Sequence, residues 1–165
     1  CFTAGSSKTA SITNSAPGGR LMDTIIVGVD GSDASSVAVG FAAEEAVRRK
    51  AALRIVAVWE LPAVSQPEIV MVPETVKIYQ EQADAVLAES LERARQLQPG
   101  VPCEGVIISG DAGEVLVQEG RGAALIVVGR RGKGGLLGFF MGSVSRYVAE
   151  HAPCPVTIVP PAQKS

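Results

Sequence analysis

Ala124-Leu125-Ile126-Val127-Val128-Gly129-Arg130-Arg131-Gly132 joins an uninterrupted apolar run to a glycine-bearing turn. An amphipathic strand would place polar residues at alternate positions. This run has none, which predicts a strand buried on both faces. Thr24-Ile25-Ile26-Val27-Gly28-Val29-Asp30, stopped by Gly31, has the same character, and Leu53-Arg54-Ile55-Val56-Ala57-Val58-Trp59 reads as another strand. A short run at Val106-Ile107-Ile108 and the closing Pro155-Val156-Thr157-Ile158-Val159 bring the strands to five.

Helical spacing fills the intervals. Ser32 and Asp33 offer cap chemistry before Ala34, Ala38, Phe41, Ala42 and Ala46, and Arg48-Arg49-Lys50 place cations where a helix C-terminus favours them. After a loop from Leu61 to Val72, long enough for a flap, Pro73 opens a helix with Val76, Tyr79, Ala83, Val86, Leu87, Leu91, Ala94 and Leu97 on one stripe. Asp111 and Glu114 resemble a capping pair opening a short helix that Gly120 and Gly122 end. Val144, Tyr147, Val148 and His151 recur at helical spacing before the last strand. Because each parallel crossover needs a helix to return the chain, the alternation predicts an α/β fold: a doubly wound five-stranded parallel sheet with helices on both faces. Ligands of such sheets bind beyond the carboxyl ends of the strands, where strand order reverses. That directs attention to Asp30 and Gly129.

Composition narrows the function classes. With 47% hydrophobic residues in 165, the chain can bury one core, and residues 22–165 read as a single domain. Residues 1–21 lack hydrophobic period and include Pro17-Gly18-Gly19; they read as a disordered extension or an added remnant, with Met22 as the natural start. A net charge of −2, from 15 basic and 17 acidic residues, provides no basic field for nucleic acid or an anionic membrane. No apolar run approaches the roughly 18 to 20 residues of a spanning helix. Cys1, Cys103 and Cys154 have no C-x-x-C spacing, which points to a reducing cytoplasm, and His151 with Cys154 lacks the second ligand pair a metal site needs.

The segment Gly129-Arg130-Arg131-Gly132, nine further residues and Gly142-Ser143 leads from a buried strand to a helix N-terminus. Glycine permits close backbone approach, first-turn amides and the helix dipole favour phosphate, and Ser143 supplies a hydroxyl donor and helix cap. Arg130, Arg131 and Lys133 add positive charge. From glycine content alone, a plain surface turn with Ser143 as its cap reads equally well. A G-x-x-x-x-G-K-[S/T] phosphate loop is absent, and Gly120-Arg121-Gly122 is a turn fragment preceding a strand. Ser143 and His151 lie about 12 Å apart along one helix and form no catalytic dyad.

The spacing G-x-x-G-x9-G-[S/T] resembles the nucleotide-binding signature of the universal stress protein family. Ile25-Ile26-Val27-Gly28-Val29-Asp30-Gly31-Ser32 is similar to that family's opening, and Arg146-Tyr147-Val148-Ala149-Glu150-His151-Ala152-Pro153-Cys154-Pro155-Val156 to its ending. The likeness spans about Met22 to Pro160, with Ala124 where many members carry an aspartate. It implies a Rossmann-like domain of the adenine nucleotide alpha hydrolase-like type that binds ATP, with magnesium on its phosphates, and dimerises through its last strand. By position, Gly28, Val29 and Asp30 would meet adenosine, and the Val58 backbone would read adenine. Gly129, Arg130 and Gly132 would wrap ribose and phosphates, while Gly142, Ser143, Val144 and Ser145 would hold the phosphate tail. Asp30 has a second reading, as a cap on the turn into the first helix. Leu136, Leu137, Phe139, Phe140 and Met141 read first as packing, over the sheet edge or a partner. The resemblance implies a nucleotide-responsive regulatory protein with no assigned catalytic residue; a slow ATP hydrolase or phosphotransferase and a nucleotide-free dimerisation module are its rivals.

Overall fold

The continuous apolar runs become strands covered on both sides in the computed structural model, which describes residues 23–61, 73–132 and 141–162. In chain order these residues form β1 (Thr24–Val29), α1 (Asp33–Arg49), β2 (Ala52–Trp59), α2 (Pro73–Leu97), β3 (Cys103–Ser109), α3 (Ala112–Glu119), β4 (Leu125–Gly129), α4 (Ser143–His151) and β5 (Val156–Val159). The strands pair in the order β3-β2-β1-β4-β5, every neighbour parallel.

Period-two alternation divides the core into two layers. Ile25, Val27 and Val29 of β1 join Leu53, Ile55, Leu125 and Val127 in one cluster with Ala38, Ala42 and Ala46 of α1 and Ala83, Leu87 and Ala94 of α2. Ile26, Val56, Ile126 and Val128 point the other way, into a cluster with Val115 and Leu116 of α3 and Val148 of α4. Alanines let α1 lie close to the sheet: a Cβ built on Gly129 would come within 2.9 Å of the Ala34 backbone. Only glycine at the end of β4 tolerates that approach.

β3 extends well before the expected Val106, beginning at Cys103. Glu104 and Gly105 are poor strand formers by composition, and pairing with Arg54 and Ile55 of β2 overrides that preference. Gly105 also serves packing, since a Cβ there would meet Leu87 at 2.8 Å and Leu91 at 2.9 Å. Two residues of the expected apolar stripes are exposed. Leu97 ends α2 with 46% of its surface accessible, and His151 ends α4 with its ring stacked on Tyr147 at 4.2 Å. The expected amino-terminal extension and nearly all of the 61–72 loop lie outside the described residues. Among the described residues no helix is long and apolar enough to cross a membrane.

Candidate functional site

Strand order reverses between β1 and β4, so the chain leaves these neighbouring strands toward opposite faces and a crevice opens between the departing loops. It encloses about 700 Å³, within the roughly 300–1,000 Å³ typical of small-molecule sites. Gly28, Val29 and Asp30 line it from β1, Val58 and Glu60 from the end of β2, and Gly129 and Gly132 from the end of β4. Gly142, Ser143, Val144 and Ser145 line it from the start of α4.

One end of the crevice is apolar. Val56, Val58, Leu116 and Val128 form its surface there. Gly28 lies directly beneath Leu116, whose Cδ1 would stand 2.7 Å from any Cβ at that position. The absence of a side chain at residue 28 therefore lets α3 settle onto β1.

The other end is a helix N-terminus, and its cap differs from the expected one. Gly142, not Ser143, is the N-cap of α4, with extended backbone (φ −68°, ψ 162°) and no side-chain capping bond. Ser143 is already in the first helical turn. The other capped helices contrast with it: Ser32 Oγ accepts from the Ser35 amide at 3.2 Å to cap α1, and Asp111 Oδ1 accepts from the Glu114 amide at 2.9 Å to cap α3. A helix leaves its first amides without intrahelical partners, so α4 presents donors and a positive dipole end to the crevice.

The loop between β4 and α4 is anchored through backbone. The Arg130 amide donates to Val159 O at 2.7 Å, and Arg130 O accepts from the Gly142 amide at 2.8 Å. Buried Ser145, 2% exposed, donates its hydroxyl to Arg130 O at 2.9 Å, with Gly142 O at 3.1 Å as an alternative acceptor. Ser145 thus ties the loop to the helix. Arg130 does not line the crevice, whereas Arg131 does. Two adjacent arginines in a turn are indistinguishable by spacing; β5 decides the matter by holding the Arg130 backbone.

Asp30 both lines the crevice and braces the turn into α1. Its Oδ1 accepts from the Ser32 amide at 3.0 Å and from Ser32 Oγ at 2.6 Å. A Cβ at Gly132 would collide with the Asp30 carboxylate, so glycine there has a steric cause within the protein itself. Glu60, Ser35, Ala112 and Leu116 also line the site without having been expected there. Glu60 follows the end of β2 and carried a legible signal, its place two residues beyond Val58; Ala112 and Leu116 depend on how α3 docks. Lys133, Leu136, Leu137, Phe139 and Phe140 lie outside the described residues.

These features define a class: a Rossmann-like α/β protein with a switch-point crevice, apolar at one end and bounded by an uncapped helix N-terminus at the other. The chain belongs to the universal stress protein family, whose family model matches residues 22–160. A universal stress protein of Mycobacterium tuberculosis is 37% identical over 135 residues, covering 81% of this chain and 44% of the relative. The chain therefore spans less than half the length of the curated relatives it matches. Universal stress protein UspA from Lactobacillus plantarum superposes with TM-score 0.65 at 25% identity, covering 86% of this chain and 99% of the other. A universal stress protein solved in complex with cAMP matches with TM-score 0.62 at 29% identity, over 87% of this chain and 100% of that one. An Archaeoglobus fulgidus member in complex with dAMP gives TM-score 0.61 at 25% identity, with coverage of 85% and 99%.

Proposed function

We propose that this chain binds ATP in the switch-point crevice and acts as a nucleotide-responsive regulatory protein of the stress response, in the cytoplasm. The observation that carries the reading is the pairing of an apolar slot with an uncapped helix N-terminus in one cavity. A flat base suits the slot between Val58 and Leu116, while phosphate suits the amides of Ser143, Val144 and Ser145. Gly28, Val29 and Asp30 meet the adenosine, and the Val58 backbone reads adenine. Gly129, Arg130 and Gly132 shape the wrap around ribose and phosphates, and Gly142 permits close approach of the phosphate tail. Arg131 supplies a charge on the crevice wall. Magnesium carried in on the ATP phosphates would offset part of their charge. The cAMP- and dAMP-bound relatives support the adenine end of this assignment.

Among the described residues β5 is an edge strand, with Pro155 before it and Pro160 after it. Its free edge suits antiparallel pairing with a second copy, and nucleotide held by the loop bonded to Val159 would bias that pairing. Isothermal titration with ATP and magnesium tests the reading. Saturable one-site heat with a rise in melting temperature is expected; neither signal at millimolar ATP would reject it.

A further inference from the structure

We infer that the crevice continues over the carboxyl end of the sheet into a second compartment, which takes a flat, uncharged or cationic substituent on the exocyclic amine of the bound adenine. This rests on the adenine-nucleotide reading above. A cavity of about 220 Å³ lies between the carboxyl end of the sheet and α2, room for roughly seven waters at about 30 Å³ each. It shares Val29, Asp30, Val58 and Glu60 with the main crevice, so the two spaces meet at the ends of β1 and β2.

Strand alternation explains how they connect. Val58 packs with the cluster beneath α3 and α4, whereas Trp59 packs with the cluster beneath α1 and α2. A group passing over the carboxyl end of β2 leaves the crevice at Val58 and enters the second cavity at Trp59. The Trp59 carbonyl accepts from the Gly110 amide at 3.1 Å, which fixes the end of β2 against the turn after β3.

The walls select the chemistry. Trp59 of β2 and Tyr79 of α2 provide aromatic rings, and Val86 adds apolar surface. Asp30 and Glu60 stand at the junction, placing two carboxylates where an anionic group would have to pass. Phosphate is disfavoured there by like charge and attracted to the N-terminus of α4. The base end of the nucleotide is left to face the junction. Because the β2 segment Ala57–Glu60 contributes both the adenine-reading position and a wall of the second cavity, the base substituent is the part that reaches it.

Titrating ATP and N6-benzyl-ATP into the same protein tests this. Aromatic contact with Trp59 and Tyr79 predicts that N6-benzyl-ATP binds roughly threefold to tenfold more tightly. Tyr79→Ala should leave the ATP affinity within about twofold and bring the two ligands to parity. ATP binding with no advantage for the benzyl analogue, or an advantage that survives Tyr79→Ala, would overturn the second compartment and leave the nucleotide reading standing. Failure of both nucleotides to bind would overturn both.

Discussion

At the amino end of the sheet, Arg54 of β2 donates to Glu104 of β3 and, at 2.8 Å, to Glu119 of α3, while at the carboxyl end the first amides of α4 face a crevice without a side-chain cap. The amino end settles its charges internally. Burial alone would lower the Arg54 pKa, and the bonds from Glu104 and Glu119 outweigh that and raise it. At the carboxyl end, Gly28, Gly129 and Gly132 stand where a Cβ would press on Leu116, Ala34 or Asp30 around the crevice. Polar groups paired within the protein stabilise it; donors left facing a cavity are available to a ligand.

Breaking the carboxyl end should give the largest effect. Gly132→Val drives a branched side chain into the Asp30 carboxylate on the crevice wall, so ATP affinity should fall about a hundredfold, roughly 2.8 kcal/mol. Titration calorimetry reads it directly; unchanged affinity would mean that the loop takes no part in binding. Gly142→Asp sharpens the same point. The extended backbone at residue 142 accepts an L side chain, whose Cβ would stand 3.3 Å from Arg130 O. An aspartate there caps α4 from within the protein and repels phosphate. ATP binding should weaken about tenfold, while the new cap and the tight Cβ contact oppose each other and stability stays within about 0.5 kcal/mol in urea unfolding.

Breaking the amino end should act on stability alone. Arg54→Met removes the shared partner of Glu104 and Glu119, and at the partial exposure of these groups the cost should be about 1 kcal/mol, with ATP affinity unchanged. A matching loss of affinity would show that the two ends are coupled. An effect confined to alkaline pH concerns Cys103, whose thiol burial pushes up to about 11 from 9.0. Its folded form holds the proton more tightly than the unfolded one, so its contribution is complete below about pH 9 and is lost as pH rises toward 11. Cys103→Ala should make stability decline less steeply across that interval, measured as the slope of unfolding free energy against pH.

Much of the fold was legible because apolar runs without polar alternation require cover on both faces, and the helical stripes between them supply that cover. Where preference and pairing conflicted, sequence reading fell short: Glu104 and Gly105 became strand only because β2 offered partners. The site was legible in part. Glycine spacing after β4 and the place of Asp30 after β1 pointed to loops that line the crevice, whereas the exposure of Arg131 rather than Arg130 to it and the contribution of Leu116 depended on docking.

The sequence by itself determined the alternation of strands and helices, the carboxyl ends at which a crevice must open, and the turn that leads from β4 to a helix start. These are consequences of local periodicity and backbone freedom. Only the tertiary structure decided that Gly142 rather than Ser143 caps α4, that Asp30 stands against Gly132, and that the crevice meets a second cavity at Glu60. Each of these depends on distances between residues far apart in the chain, set by how helices pack on the sheet and invisible to residue spacing.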